Sequence, residues 1–565
     1  MYFIKPVLAL LTLNFLHEEE NHGSADSLYT NFAVNTESEW ASRIGKKILE
    51  KGGNALDAAI ASCLSIGVVN SFSSGIGGGG FMLLRKKSPE GDIFDFIDFR
   101  EVSPRKATQK LFIDHPEFLM TTGLSVAVPG EVLGLYSAHL KYGKLPWKVL
   151  FEDPIRLANG FKASKKLVEK LKKNEKFILN DPGLKMAFTK NGKIVGVGDI
   201  IIRKNLANTL QIIANDPMSF YKGDLGDKIV KFLQKNNGIL EKSDLENYKI
   251  KHRPVLRSSF YDYDVITTSL PTSGMFIIEA LKILERINIR DIKYFINNEN
   301  SYIMYHIMIE TFKFIFAERG RFGDPDFIKG WEKRIKELIS PHGIEQIFKK
   351  FNLEKPLGID EYGTSRNFKE DHGTTHLNVI DSDDFIVLIT STVNLEFGSK
   401  LLDPETGILF NNQMDDFYIT SSENSNNKDK HNANMLAGGK RPFSSAAPTL
   451  LMKKNEIIAI GAAGGTRIPA AIISTIAYLF IGNTLENAIS LCRIHNQLST
   501  DKTFIEATLP DFIIEKLKGM GHSVVVSELN TSFTSVQAIQ VFLSNNSKQI
   551  KAISDHRKDG ISFGS

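Results

Sequence analysis

The 565-residue sequence has few cysteines and almost no net charge. It contains two cysteines, Cys63 and Cys492, too few for a disulfide framework or for a zinc site of four thiolates. We predict that both are buried free thiols. Lys and Arg number 69 against 65 Asp and Glu, a formal net charge of +4. Nucleic-acid binding needs a clustered basic face, so we expect no nucleic-acid partner.

The sequence also lacks an apolar run long enough to cross a bilayer, which takes roughly 20 residues. The N-terminal run 6–16 is too short for this and ends at Glu18. It fits the apolar part of a secretory signal, so residues 1–25 are predicted to be a signal peptide or a degenerate membrane anchor, with a plain N-terminal strand or helix as the alternative. We therefore expect the secretory pathway, with an extracellular or outward-facing anchored protein, or a vacuole-like compartment as the alternative.

What remains is an ordinary globular composition, with 42% hydrophobic and 24% charged residues. At roughly 150 residues per domain the length suggests three or four domains, although one large α/β body can also reach this size. Low complexity is limited to the Asn-, Ser- and Lys-rich segment 421–440, which is predicted to be a mobile surface loop.

A glycine run near residue 77 matches a nucleotide-binding pattern in the wrong structural order. Helical spacing over 38–50 and an Asn54 cap for a second helix over 55–69 precede the run, and a predicted hairpin follows it. A dinucleotide site needs the glycines after a strand and before a helix. The run 73–80 therefore indicates close approach of the backbone to a ligand or to another strand.

Two further hairpins are predicted in the last third of the chain. In the first, a turn at 381–384 joins strands 374–380 and 385–392. If Ile380 faces Phe385, Thr374 pairs with Ser391 and lies beside Thr392, and a slip of one or two residues still brings two threonines together near the strand ends. The second, around 449–460, leads through Gly464 and Gly465 into a helix. This glycine loop lacks the lysine of a phosphate loop, so its N–H groups are better suited to a carboxylate or an oxyanion.

Taken together, many spaced segments resemble the gamma-glutamyltransferase family, also called gamma-glutamyl transpeptidase. The resemblance covers nearly the whole chain after about residue 30. It lies in residues 52–59, 73–80, 98–102, 126–131 and 323–327, and most closely in 373–376, 390–394, 397–399, 407–417, 442–445, 461–466 and 493–497.

The resemblance implies an α/β fold, the αββα sandwich of N-terminal nucleophile hydrolases, formed jointly by two subunits cut from one precursor. Cleavage between Gly373 and Thr374 would give a large subunit of 26–373 and a small catalytic subunit of 374–565, which remain together as a heterodimer. A threonine hydroxyl is a poor nucleophile alone, but an α-amino group freed by the cut has a pKa near 7.7–8.0 and can act as its base.

The resemblance also implies roles for individual residues. Thr374 is the nucleophile, Thr392 binds its hydroxyl, and the N–H groups of Gly464 and Gly465 form the oxyanion hole. The α-carboxylate of the donor is bound by Arg100, Ser444 and Ser445, and its α-amino group by Asn394, Gln413 and Asp416. His376 lies on the same strand face as Thr374, and we interpret it as structural because the amino group already supplies a base.

The implied activity is cleavage of the γ-glutamyl amide of glutathione and related compounds, with transfer to an amino acid, a dipeptide or water. No metal or organic cofactor is implied. One alternative is a glutaryl-type acylase of the same fold, for which Asp416 and Asn394 would be superfluous. Another is an uncleaved, inactive relative that only binds ligands. Gln413 stands where relatives have Glu or Gln, and the loop 421–440 lacks an obvious aromatic lid.

Overall fold

Helix Ala55–Val69 begins where the sequence predicts, because Asn54 and Asp57 form a reciprocal cap. The Asn54 side chain accepts from Asp57 N at 3.0 Å, and the Asp57 carboxylate accepts from Asn54 N at 3.1 Å. Apolar residues surround this helix on nearly all sides, so it is buried between the neighbouring helix Glu39–Glu50 and a β-sheet.

The computed structural model describes residues 28–292, 300–363, 373–420, 432–499, 501–527, 534–544 and 547–565. Two seven-stranded sheets form its centre. Their strands are, in chain order, β1 Leu28–Tyr29, β2 Ala33–Asn35, β3 Gly79–Lys86, β4 Ile93–Phe99, β5 Lys251–Arg253, β6 Val255–Phe260, β7 Tyr263–Thr268, β8 Gly373–Ile380, β9 Ile386–Asn394, β10 Thr449–Lys453, β11 Glu456–Ala463, β12 Ser535–Leu543, β13 Lys548–Ser554 and β14 Phe563–Gly564.

One sheet has the strand order β14-β2-β8-β9-β3-β4-β5 and the other β1-β13-β12-β11-β10-β7-β6. The sheets pack face to face through alternate apolar residues such as Leu83, Leu388, Leu450 and Ile539. Smaller sheets pair Phe161–Lys162 with Ile200–Ile201, Thr189–Lys190 with Lys193–Ile194, and Ile494–His495 with Lys502–Glu506 and Ser523–Ser527.

Helices cover the outer face of each sheet and complete the αββα sandwich, which confirms the predicted fold class. On the first sheet, Leu377 and Val379 join the core of the N-terminal helices, and on the second, Ile458 and Ile460 join that of the later helices. The helices of ten residues or more are Glu39–Glu50, Ala55–Val69, Glu131–Tyr142, Lys204–Asn215, Asp224–Lys235, Gly274–Ile287, Tyr302–Ala317, Pro341–Lys350, Ile468–Phe480 and Asp511–Met520.

The glycine run approaches other strands closely, as predicted. A Cβ on Gly78 would overlap the carbonyl oxygen of Thr392, and one on Gly80 would overlap that of Thr390. Both cysteines are buried and free, which confirms that prediction. Within the described part of the chain, no helix has the length and apolarity needed to span a bilayer. The predicted signal or anchor at 1–25 lies outside the described residues.

The predicted mobile loop 421–440 differs from the structure in its second half. Residues 421–431 lie outside the described residues. From 432 to 440 the chain packs onto the protein, with Leu436 buried and the Lys440 ammonium donating to the carbonyls of Ala433 and Met435 at 2.8 Å each. The polar composition of this segment predicts a surface loop. Burial of Leu436 and these hydrogen bonds nevertheless fix it against the rest of the protein.

Candidate active site

Thr374 and Thr392 face each other at the ends of β8 and β9. Their hydroxyl oxygens are 3.3 Å apart, and the Thr392 hydroxyl donates to the carbonyl oxygen of Gly373 at 2.6 Å. The backbone N–H of Asn394 donates to the Thr392 hydroxyl oxygen at 2.8 Å, which leaves the Thr392 proton directed at Gly373. Thr392 therefore contacts both the hydroxyl of Thr374 and the carbonyl that precedes it.

Two threonines meet near the strand ends as predicted, with the register shifted by one residue on β9, within the slip that the sequence leaves open. Thr374 pairs with Thr392 rather than Ser391, because Ile380 pairs with Ile386 and not with Phe385. The Asp381 carboxylate accepts from the N–H groups of Asp383 and Phe385 and so stabilises a loop that is one residue longer than expected.

Arg100 and Asp416 form a direct ion pair that is largely removed from solvent. The Arg100 guanidinium contacts the Asp416 carboxylate and also donates to the carbonyl of Pro442 at 3.3 Å. Burial raises the pKa of the Asp416 carboxyl, and the Arg100 charge acts in the opposite direction. The pair places one positive and one negative group side by side, which is the charge pattern of an α-amino acid headgroup.

Two carbonyl oxygens near Asp416 are buried without a hydrogen-bond donor among the described residues. They are Oδ1 of Asn394 and Oε1 of Gln413. The Gln413 amide nitrogen donates to Asp416 at 2.6 Å, and the Asn394 amide nitrogen donates to the carbonyl of Asn412 at 3.0 Å. Because buried acceptors without donors are costly, these two oxygens and Asp416 suit a ligand ammonium.

A small pocket extends from the nucleophile to Arg100, the cation of the ion pair. Thr374, Thr392, Arg100, Ser444 and Ser445 all line it, so the structure brings these predicted residues together. Its wall also includes residues that the sequence analysis did not identify, namely Phe81, Thr390, Ala446 and Ile468. Thr390 falls within segment 390–394, which carries the family resemblance, whereas Phe81, Ala446 and Ile468 are placed at the pocket only by the packing of separate elements.

The two predicted oxyanion glycines lie between strand β11 and Ile468, which lines the pocket. Gly464 has φ 131° and Gly465 has φ 61°, conformations that favour glycine over other residues. The strand, glycine loop and helix order is therefore as predicted, and it brings the glycine turn to the edge of the pocket.

His376 lies between the two sheets, two residues after Thr374. Its ring is hydrogen-bonded to the Thr390 hydroxyl at 2.9 Å and to the Asn378 side chain at 3.0 Å, and burial lowers its pKa to about 4. It packs so closely on Gly461 that a Cβ there would overlap the imidazole. A neutral, enclosed ring of this kind supports the sheet interface.

One further cluster has metal-ligand chemistry, away from this pocket. Candidate ligand atoms of His306, Glu310 and His522 lie within 4.8 Å of one another. The two imidazoles already hydrogen-bond each other at 2.7 Å, and Tyr362 donates to Glu310 at 2.5 Å. The Lys313 ammonium is 3.5 Å from Glu310, a positive charge that opposes a cation there. These contacts favour a hydrogen-bonded network over a metal site.

Comparison with known proteins agrees with this geometry. The model of the family described as Gamma-glutamyltranspeptidase matches residues 41–565. The chain belongs to the gamma-glutamyltranspeptidase family. Glutathione hydrolase proenzyme 1 of Schizosaccharomyces pombe is 38% identical over 536 residues, which are 94% of this chain and 84% of that protein.

Solved structures agree with the family assignment. Gamma-glutamyltranspeptidase from Helicobacter pylori is 32% identical, with a TM-score of 0.52, and the match covers 56% of this chain and 91% of that one. Cephalosporin acylase from Bacillus halodurans has a TM-score of 0.82 at 22% identity, covering 97% of this chain and 98% of that one. The second match shows the shared fold, and the protein is an enzyme of the gamma-glutamyltranspeptidase family with an N-terminal nucleophile hydrolase fold.

Proposed function

We propose that the protein cleaves the γ-glutamyl amide of glutathione and related compounds and transfers the γ-glutamyl group to an amino acid, a dipeptide or water. The Thr374 hydroxyl forms the ester intermediate. The chain is a precursor that cuts itself before Thr374, and fragments 26–373 and 374–565 remain together as a heterodimer. The relative named as a glutathione hydrolase proenzyme supports both the substrate and the precursor form.

The observation that carries this proposal is the Arg100–Asp416 pair together with two side-chain oxygens that have no donor among the described residues, one on Gln413, whose amide nitrogen contacts Asp416, and one on Asn394. A γ-glutamyl donor ends in an α-carboxylate and an α-ammonium on one carbon. The guanidinium of Arg100, with the nearby Ser444 and Ser445, suits the carboxylate. The ammonium has three donors, which match Asp416 and the free oxygens of Asn394 and Gln413.

Self-cleavage uses the contacts around Gly373. The Thr392 hydroxyl polarises the Gly373 carbonyl, 2.6 Å away, for attack by the Thr374 hydroxyl. The Gly373–Thr374 C–N bond breaks as the nitrogen takes up a proton, leaving an ester between Gly373 and the Thr374 oxygen. Water hydrolyses this ester, giving a carboxylate on Gly373 and a free amino group and hydroxyl on Thr374.

In turnover, the freed amino group takes the Thr374 hydroxyl proton as its oxygen attacks the γ-carbonyl carbon of the donor. The N–H groups of Gly464 and Gly465 stabilise the resulting oxyanion. The amino group then returns the proton to the departing amine, and a γ-glutamyl ester remains on Thr374. An acceptor amine or water attacks this ester and restores the hydroxyl.

A glutaryl-type acylase has no use for an ammonium site. An uncleaved, inactive relative would not need Thr392 directed at Gly373. The two-carbonyl site and the Thr392 contact therefore favour the γ-glutamyl enzyme over both alternatives.

The test compares two donors that differ only in the α-amino group, γ-glutamyl anilide and glutaryl anilide, on purified protein. We expect the γ-glutamyl donor to be preferred by at least 100-fold in kcat/KM, since removing a charged hydrogen-bonding partner leaves buried groups unpaired. Glutathione should give glutamate in water and γ-glutamyl dipeptides when an acceptor is added. Equal rates for the two anilides would contradict the proposal.

A further inference from the structure

The backbone carbonyl of Thr374 is held by a lysine from the far end of the chain. The Lys558 ammonium donates to this carbonyl oxygen at 2.9 Å and to the Glu37 carboxylate at 2.6 Å. We propose that Lys558, paired with Glu37, is a positioning residue that fixes the nucleophile and places a positive charge beside the amino group that serves as base. The inference rests on the proposed role of Thr374.

The turn that carries Lys558 is anchored by buried charges. The Asp555 carboxylate pairs with Arg493 at 2.9 Å and with Arg557 at 3.1 Å, and the Lys558 N–H donates to the Asp555 carbonyl at 3.3 Å. Asp555 and Arg493 are almost completely buried. These contacts fix the backbone of the turn and so define the position from which the Lys558 side chain extends to Thr374.

Glu37 connects the lysine to the second sheet. It is fully buried, follows strand β2, and accepts a hydrogen bond from the Ser535 hydroxyl. Ser535 pairs across the sheet with Ala463, the residue before Gly464. One series of contacts thus runs from the carbonyl of the nucleophile to the strand end that leads into the predicted oxyanion glycines.

Of these two charged groups, Lys558 is the one that contacts Thr374 itself, through the Thr374 carbonyl oxygen. Within one residue the nitrogen and carbonyl oxygen are at most about 3.6 Å apart. The ammonium therefore lies within about 6.5 Å of that nitrogen, and the Glu37 carboxylate contacts the ammonium. A positive neighbour disfavours protonation of the amine, so Lys558 keeps the base in its neutral form at lower pH, and Glu37 opposes this effect.

Several other charged or titratable groups surround this end of β8. They are Arg100, which lines the pocket, and its partner Asp416, His376 on the same strand, Glu131, which is hydrogen-bonded to Ser391 on β9, and Asp555 and Arg557 in the turn that carries Lys558. None of these groups is substituted in the variants compared below. A difference in pH dependence between those variants therefore reflects the change at Lys558 or Glu37.

The experiment measures kcat/KM against pH for γ-glutamyl anilide with cleaved wild type, Lys558→Met, Lys558→Arg and Glu37→Gln. The acid limb reports the amino group of the free enzyme. We expect it to move up by about 0.5–1 pH unit in Lys558→Met, to stay within about 0.2 unit in Lys558→Arg, and to move down in Glu37→Gln. At pH 7, kcat should fall several-fold in Lys558→Met with KM changed less than about twofold.

An acid limb that stays in place in both Lys558→Met and Glu37→Gln, or that moves in the same direction in both, would overturn the inference. If Lys558→Met fails to mature, the downward shift in Glu37→Gln decides the question alone. If the wild-type protein is cleaved and active, the proposed role of Thr374 is supported whatever the results for these variants. The proposal for Lys558 can therefore fail without contradicting the proposed function.

Discussion

The Arg100 guanidinium, which lines the pocket, and the Asp416 carboxylate bind each other directly. Each of these two charges is therefore paired when no donor is bound. An unpaired charge buried at this position would cost folding free energy. A γ-glutamyl donor carries the opposite of each charge on a single carbon. In the proposed binding mode, one internal ion pair is exchanged for two pairs with the ligand, and both protein charges stay neutralised.

Arg100→Lys keeps the positive charge but loses the planar guanidinium. We expect kcat/KM for γ-glutamyl anilide to fall about 30- to 1,000-fold at 25 °C. This corresponds to a loss of roughly 2–4 kcal/mol of transition-state stabilisation. Self-cleavage involves no donor and should proceed normally on a denaturing gel. Unchanged kcat/KM in a fully cleaved variant would remove Arg100 from the donor site.

Asp416→Asn should weaken binding of the donor ammonium by a similar 2–4 kcal/mol. The sharper measurement is a double cycle with the glutaryl anilide, which lacks the ammonium. The variant should lose little further activity with that donor, because the interaction is already absent. An equal loss with both donors would instead indicate that Asp416 acts by holding Arg100 in place.

Two adjacent threonines offer a matched test of the nucleophile. Thr374→Ala should give a full-length, folded and inactive chain. Thr375 points to the opposite face of β8, and its hydroxyl is buried with no partner among the described residues. Thr375→Val, which keeps the shape, should therefore be cleaved and keep its activity within about threefold. Cleavage at this bond in Thr374→Ala would exclude Thr374 as the nucleophile.

Glu101 gives a prediction about pH and stability. Burial raises the pKa of its carboxyl from 4.5 to about 8, although Arg100 lies 3.8 Å away. Between these values the folded state binds a proton that the unfolded chain has lost, so this group lowers stability progressively as pH rises from about 4.5 to 8. Glu101→Gln should remove that loss.

The measurement for Glu101 is urea unfolding at pH 5 and pH 8 in the single-chain Thr374→Ala background. Glu101→Gln should show a smaller decrease in the free energy of unfolding between the two pH values than the Thr374→Ala parent. Identical decreases in both chains would mean that Glu101 is ionised in the folded state throughout this range.

Local sequence signals predicted several parts of this molecule well. The Asn54 cap, the helix after it and the glycine turn before Ile468 depend on neighbouring residues, and all three are where the sequence places them. The sequence left the exact partner of Thr374 open by one or two residues, because the length of the loop depends on side-chain contacts of Asp381 that sequence periodicity does not show.

Contacts between segments that are distant in the sequence could not be predicted from local sequence patterns. Arg100 and Asp416 are separated by 316 positions, and Lys558 and Thr374 by 184. Resemblance to a family marked the first pair as donor-binding residues but did not indicate that they bind each other. Lys558 stands in an ordinary polar turn, and its importance depends on the packing of that turn against the start of β8.

The most direct test of the account is the mass and N-terminal sequence of the purified protein. Cleavage at the predicted bond gives two fragments, the smaller running from Thr374 to Ser565, in place of one chain of about 63 kDa. We expect that fragment to begin with Thr374 and to gain the mass of a γ-glutamyl group when turnover is stopped with acid. A fragment beginning at Thr375, or full activity in an uncut chain, would contradict the role of Thr374 as an N-terminal nucleophile.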